Sequence, residues 1–347
     1  YCNYNKFIDI IDLGSQPFSG FFPNIHSKDP PKSRLNLIRC KKCSLIQIKH
    51  SVYIESSYYL TFGYNSGLSK LMISHLQTQA KKIISFFKPK GNISVLDIGS
   101  NDGTFLGSFK KQFFKLGVDP TGNRFLANYN KFNSHLISDF FSFKNINKKY
   151  PKQKFDIITS YAMFYCIEDP LSFCKDVIKL LKPNGIWNLE LSYWPLLIQN
   201  MTWDQICHEH VTYYDLTTLK KIFLKAGFKI LEVSFNEING GSFNVICSKI
   251  NSNLKPNKHK IDQIINSEKI FYMDESLGSF SQRVKNSAKI IREFLNLLKM
   301  NKKIVIGYGA STKGNIILNY SKIDKKLLNF ICDENPLKIN KRVTPGT

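Results

Sequence analysis

The chain lacks any run approaching the ~20 consecutive apolar residues that a membrane-spanning helix needs, and no secretory apolar segment opens it. A helical membrane protein is therefore excluded, and the chain reads as soluble and cytoplasmic, with no membrane partner. Arginine is scarce, with six residues within a Lys-dominated total of 49 basic side chains and a formal net charge of +23. Forked guanidinium contacts are what bidentate phosphate and guanine recognition favour. Nucleic acid is thus not the expected partner, in spite of the charge. The lysine excess reads as solvated surface, with a basic face for an anionic nucleotide substrate as the alternative reading. There is no internal repeat and no long low-complexity tract, and no obligate protein partner is inferred. The eight cysteines, five of them scattered singly, do not form a disulfide framework, which points to a reducing compartment.

What is present divides into parts. At 347 residues the chain is too long for one ordinary core. It begins at Tyr1 rather than Met and stops just after the Pro345-Gly346 turn signal, so it reads as a fragment that leaves an upstream targeting segment open. Residues 1–68 are rich in Pro, Gly, Ser and aromatics and short of helical periodicity, as in a small irregular module. Within it, Cys40-Lys41-Lys42-Cys43 is a knuckle whose tight turn lets two thiolates converge on a tetrahedral zinc. Cys2 is the third candidate ligand, the fourth being expected upstream, and free or redox thiols are the alternative.

Residues 69–250 alternate between helical periodicity and short apolar runs. A helix is expected over Ser69–Lys88, with buried parallel strands at Ile93–Ile98, Gln112–Val118, Phe155–Thr159 and Gly185–Leu191. The runs Phe228–Glu237 and Ser242–Ser248, joined by Asn239-Gly240-Gly241, read as an antiparallel hairpin. The expected fold is α/β, a doubly wound sheet closed by a hairpin in the manner of class I methyltransferases. Residues 251–347 read as helical from Ile261 to Met300 with a break near Gly278. A second βαβ unit follows, from strand Lys303–Gly307 through a helix at Thr312–Asn319 to strand Leu328–Asp333.

The segment Asp97-Ile98-Gly99-Ser100-Asn101-Asp102-Gly103 is a strand running into a glycine-rich turn, which lets backbone approach a ligand closely. Asp119, roughly 20 residues on, is placed to accept from ribose hydroxyls. Ser100-Asn101-Asp102 replaces the small residues of a dinucleotide loop, and an acid there repels a pyrophosphate while suiting a cationic methionine moiety. S-adenosylmethionine is the expected cofactor, with a nicotinamide or flavin as the alternative. Asp139, before Phe140, is a candidate acceptor for the adenine amino group, or an ordinary exposed loop acid.

Several further blocks occur in succession along the chain. They are Cys207-His208-Glu209-His210 followed by Tyr213-Tyr214, then Asn239-Gly240-Gly241-Ser242. Gly307-Tyr308-Gly309-Ala310-Ser311-Thr312-Lys313-Gly314-Asn315 comes next, and then Asp333-Glu334-Asn335-Pro336. With the cysteine knuckle and Phe62-Gly63-Tyr64-Asn65-Ser66-Gly67, this succession resembles the sugar C-methyltransferases of deoxysugar and surface-polysaccharide pathways. The resemblance implies an N-terminal structural zinc module, a central methyltransferase domain and a Rossmann-like C-terminal domain, here incomplete, that helps hold a nucleotide-linked keto sugar.

It also implies roles. His210 matches the general base that enolises the sugar next to its keto group, and Glu209 matches an active-site acid, while His208 could point elsewhere. Tyr64 matches a tyrosine near the substrate, able to donate to the developing oxyanion, or else packs as a plain aromatic. Ser242 and Asn244 are candidates for sugar hydroxyls and Lys313 for the substrate diphosphate; ordinary hairpin and helix-surface roles are the alternatives. A zinc role for the His-Glu-His block is disfavoured, because i, i+2 spacing does not put both imidazoles on one helical face. Cys207 and Cys166 stand where the best-known deoxysugar enzymes have Tyr and His, so the pocket lining differs and the substrate is open. Two rival readings remain: methyl transfer to oxygen or nitrogen on a glycan or small metabolite, and a zinc-knuckle nucleic-acid-binding protein on a vestigial methyltransferase fold.

Overall fold

The computed structural model describes residues 1–50 and 64–343. Phe62, Gly63, Pro345 and Gly346 lie outside the described residues. The chain opens with strands β1 (Phe7–Pro17), β2 (Lys32–Cys40) and β3 (Ile46–Ile48), followed by helix α1 (Lys70–Phe87). Strand β4 (Ser94–Ile98), the single helical turn α2 (Thr104–Gly107) and strand β5 (Phe114–Val118) come next. After helix α3 (Leu126–Lys131) and β6 (His135–Ile137) come α4 (Phe143–Lys149), β7 (Phe155–Tyr161), α5 (Pro170–Leu180) and β8 (Leu181–Ser192). Helix α6 (Trp194–Gln199), strand β9 (Thr212–Tyr213) and helix α7 (Leu216–Ala226) precede the hairpin β10 (Phe228–Asn236) and β11 (Ser242–Lys249). Helices α8 (Lys258–Glu268) and α9 (Asp274–Met300) lead to β12 (Gly307–Tyr308), α10 (Thr312–Tyr320) and β13 (Ile331–Cys332).

Local chemistry sets these boundaries. Ser69 caps α1 by accepting from Met72 N, and buried Leu76, Ala80 and Ile83 recur at helical spacing. Asp215 caps α7 at Thr218 N, and Gly227, with φ 93°, ends it in the left-handed conformation that a side chain resists. All five residues of β4 are buried, as a central parallel strand requires.

The chain forms two compact units. The first contains 64–192 and 215–267. Its sheet runs β10-β11-β8-β7-β4-β5-β6, parallel from β8 to β6 and antiparallel at β11 and β10. Beyond β4 the chain winds first to β5 and β6 and then returns to β7 and β8. The strand order therefore reverses beside β4, the switch point where open α/β sheets bind ligands. One face packs Leu76, Ala80, Ile83, Val95 and Ile157, and aromatic rings of Phe164, Phe173, Trp187, Phe223 and Phe228 pack together elsewhere in the unit. This is the class I methyltransferase fold expected from the sequence.

Of the described residues, the second unit contains 2–50, 193–214 and 268–343, so it cuts the chain differently from a sequential division at 68 and 250. The segment carrying Cys207–His210 groups here because β9 completes a four-stranded sheet, β1-β2-β3-β9, through Ile46↔Tyr213 and Gln47↔Thr212. The opening segment is not irregular. β1 and β2 pair antiparallel from Phe7↔Cys40 to Pro17↔Lys32, with register shifts after Asp9 and Asp12 that scramble the sequence alternation. Their buried Ile10, Ile11, Leu35 and Leu37 pack with Trp194, Trp203, Phe280 and Ile316.

Gly278 does not break the late helix. The interruption lies at Lys269–Met273, and a Cβ at Gly278 would meet nothing within 4 Å, so α9 runs through it. The expected final strands shrink to β12 and β13, two residues each and parallel, on either side of α10. Among the described residues no helix is long and apolar enough to cross a membrane.

Candidate active site

In the first unit the glycine-rich turn sits at the carboxyl end of β4, at the switch point. Gly99 has φ 74°, and a Cβ there would stand 3.0 Å from Met163 Cγ, so both conformation and space demand glycine. Asn101 and Gly103 also take positive φ, 47° and 77°. Asp97 is buried and accepts from Thr159 Oγ1 at 2.6 Å; burial, then the charges of Asp119 and Asp102, push its carboxyl up to about 7. Asp119, at the end of β5, accepts from Asn101 N (2.8 Å), Thr121 N (2.7 Å) and Thr121 Oγ1 (2.6 Å). Those donors fix its carboxylate beside the turn.

The turn is tied down by a residue with no sequence signal. Tyr129 on α3 is 1% exposed; its hydroxyl donates to Asn101 O (2.8 Å) and shares a hydrogen bond with Ser100 Oγ (2.8 Å). Nothing local marks a tyrosine near residue 129 for that task, because the contact spans the fold. Asp139 and Phe140 lie exposed after β6, with Asp139 accepting from Phe140 N (2.7 Å) and Asn145 Nδ2 (2.8 Å).

The segment Tyr64–Gly67 lies on the same turn. Asn101 Nδ2 donates to Tyr64 O (3.1 Å), Ser66 N to Asn101 Oδ1 (3.1 Å), and Gly67 N to Asp102 Oδ2 (2.7 Å). The Tyr64 ring is 45% exposed, yet its phenol is shielded enough that burial, with the charge of Asp102, raises its pKa against the hydrogen bond from Ser66.

Ser242 and Asn244 are buried, at 1% and 5% exposure. Ser242 Oγ donates to Ile238 O (2.8 Å); Asn244 bonds to Tyr161 OH (2.8 Å) and accepts from Asn188 Nδ2 (2.6 Å). This polar layer across β7, β8 and β11 continues to Glu190, held by His75 Nε2 (2.7 Å) and Asn236 Nδ2 (2.9 Å). Cys166 closes the short turn after β7, its N donating to Met163 O (2.9 Å).

In the second unit, the segment Trp203–Tyr214 brings His210 near Lys313. His210 Nδ1 lies 3.0 Å from Gln205 O. A carbonyl only accepts, so Nδ1 carries the proton and Nε2 the lone pair of the neutral ring. Burial, then the charge of Lys313, pull the His210 pKa down to about 4, with Glu209 and the Gln205 carbonyl opposing. Burial also lowers Lys313 against Asp204 and Cys207, and raises Asp204 against Lys313. Cys207 is 1% exposed, its N donating to Tyr213 OH at 3.3 Å.

Glu209 accepts from Ser19 Oγ (3.1 Å) and Gly20 N (3.0 Å), while Asn315 Nδ2 on α10 donates to Ser19 O (2.6 Å). His208 points elsewhere. It is 1% exposed, its Nε2 donates to Ser33 O (3.1 Å), and its ring meets Phe18 edge-on at 5.1 Å. The Ser19-Gly20 loop carried no sequence signal, because its donors matter only through Glu209.

The thiols of Cys2, Cys40 and Cys43 converge, all within 4.8 Å of one another and Cys2 to Cys40 at 3.6 Å. Zinc–thiolate bonds of about 2.3 Å in tetrahedral array put sulfurs about 3.8 Å apart, a spacing these atoms fit.

Comparison with known proteins divides the chain sequentially. A methyltransferase domain family matches residues 72–233, and a C-methyltransferase C-terminal domain family matches 237–347. C-methyltransferase NovU of Streptomyces niveus is 23% identical across all of this chain and 83% of its own length. Solved structures overlap more loosely. A Haloferax volcanii methyltransferase in complex with the Trm112 activator is 16% identical, over 57% of this chain and 99% of that one, at a TM-score of 0.44. The plantazolicin methyltransferase BpumL bound to S-adenosylhomocysteine is 14% identical, over 51% and 83%, at 0.41. The two family matches and the full-length relative agree with the succession of motifs: the chain carries a methyltransferase domain followed by a C-methyltransferase C-terminal domain and is similar over its whole length to a C-methyltransferase.

Proposed function

We propose that the enzyme methylates a carbon of a nucleotide-linked keto sugar, with His210 as the general base. The observation that carries this reading is the state of His210. Its proton is fixed on Nδ1 by Gln205 O, it is neutral at physiological pH, and its acidic neighbour Glu209 is held by Ser19 and Gly20. Methyl transfer to oxygen or nitrogen requires no base able to take a proton from carbon, whereas enolisation does. A lowered pKa leaves Nε2 unprotonated but makes a weaker base than a group poised near neutrality; an anionic enolate or diphosphate beside Lys313 offsets the cation that helps lower it.

S-adenosylmethionine, bound at the turn 99–103, supplies an electrophilic methyl on sulfonium. Asp119 takes the ribose, and the exposed Asp139–Phe140 loop the adenine. Tyr64, whose phenol stays protonated, donates to the developing oxyanion. Glu209 binds a sugar group, and Cys207 and Cys166 take the substrate-contacting places of bulkier donors, each in its own unit. Ser242, Asn244 and His208, buried and hydrogen-bonded inside their own units, hold the surrounding backbone.

The test incubates candidate 4-keto sugar nucleotides with the enzyme and S-adenosylhomocysteine in deuterated water and follows exchange beside the keto group by NMR. Wild type exchanges the proton and His210→Ala does not. Persistent exchange in the variant, or a product methylated on oxygen or nitrogen, overturns the proposal.

Cys2, Cys40 and Cys43 are further proposed to hold a structural zinc. Metal analysis then finds one zinc per chain, lost in Cys40→Ser together with several kcal/mol of stability; a metal-free wild type with the same melting temperature refutes it.

A further inference from the structure

We infer that Asp102 positions Tyr64 rather than binding the methionine end of the cofactor, and that Gly67 is glycine because of it. An acid in this turn reads from sequence as a partner for the cationic cofactor. In the fold it is 1% exposed, and both oxygens are engaged by backbone: Oδ1 accepts from Thr104 N (3.1 Å) and Oδ2 from Gly67 N (2.7 Å). Asn101 completes the attachment, donating to Tyr64 O and accepting from Ser66 N. Residues 64 to 67 are thus pinned to the turn by consecutive side chains, 101 and 102.

Gly67 does not take a positive φ, so its identity is not a conformational demand. Space sets it: a Cβ would stand 2.8 Å from Asp102 Oδ2 and 3.0 Å from Thr104 Oγ1. Either the carboxylate or residues 64–67 must then give way, and Tyr64 moves with them. The charge of Asp102 also acts on the Tyr64 phenol and helps keep it protonated. The inference rests on the reading of Tyr64 as an oxyanion donor.

Four variants test it: Gly67→Ala, Asp102→Ala, Asp102→Asn and Tyr64→Phe. Calorimetry reads S-adenosylhomocysteine affinity, steady-state kinetics reads kcat and KM, and hydrogen exchange reads the Gly67 amide. Gly67→Ala is expected to keep affinity within about twofold while kcat falls roughly ten- to hundredfold, as for a misplaced reacting group. Combined with Tyr64→Phe it costs nothing more, because both remove one function. Asp102→Asn, which keeps an acceptor oxygen, recovers part of the rate lost in Asp102→Ala.

A loss of affinity in Asp102→Ala that matches its loss of kcat overturns the inference and returns Asp102 to the cofactor. So does wild-type kcat in Gly67→Ala. If Tyr64→Phe alone leaves kcat unchanged, the donor reading of Tyr64 has failed instead. The exchange measurement then still reports whether Asp102 protects the Gly67 amide.

Discussion

In the cofactor-binding unit burial pushes the carboxyl of Asp97 up to about 7; in the unit carrying the His-Glu-His block burial pulls the imidazole of His210 down to about 4. The same desolvation acts on an acid and a base, and both lose charge. What differs is the compensation. Around the glycine-rich turn, the Asp119 carboxylate accepts from three donors in its own neighbourhood. Around His210 the nearby cation, Lys313, adds to the effect of burial rather than opposing it. The first region surrounds a carboxylate with donors, and the second leaves an imidazole unprotonated.

That contrast is broken most sharply by His210→Ala. Turnover is expected to fall by about 10²–10⁴, the range of a lost general base, while S-adenosylhomocysteine affinity by calorimetry is unchanged. A matching loss of affinity erases the distinction between the two regions.

Asp119→Ala is the reciprocal change. Affinity for S-adenosylhomocysteine drops about ten- to hundredfold, as for charge-assisted hydrogen bonds, while deuterium exchange into the sugar survives at saturating cofactor.

Smallest in effect is Lys313→Met, which sharpens the comparison through pH. The active form of His210 is neutral and is lost as pH falls through its folded pKa near 4. Removing the neighbouring cation raises that pKa, so the acid limb of kcat/KM moves to higher pH. An acid limb that stays put or moves lower contradicts the assignment. The same shift has a stability sign: the folded pKa lies below the ordinary 6.5, so His210 contributes stability above pH 6.5 that is lost as pH falls towards 4.

The fold around the glycine-rich turn was legible because its signals are local. Gly99 and Asp119 follow one another within a single β-turn-helix-β stretch, and the all-buried β4 announces itself as an apolar run. The hairpin turn was equally plain from Asn239-Gly240-Gly241. The His-Glu-His segment was legible only as a motif, because what shapes it comes from elsewhere in sequence: Ser19 and Gly20 on Glu209, Ser33 on His208, Lys313 on His210. Tyr129 was hidden for the same reason. β1 and β2 escaped because register shifts disrupt the two-residue alternation that marks a strand. Gly278 misled because an exposed glycine costs a long helix only about 1 kcal/mol and need not end it.

The pairing of Ile46 with Tyr213 makes the opening strands and the His-Glu-His segment a single structural inheritance. A chimaera that took its first 68 residues from one family member and its central domain from another would join a foreign edge to β9 and a foreign loop to Glu209. Recombination between such enzymes is therefore expected to succeed only when the two distant stretches travel together, so a change of substrate specificity would be passed on as a linked pair of segments.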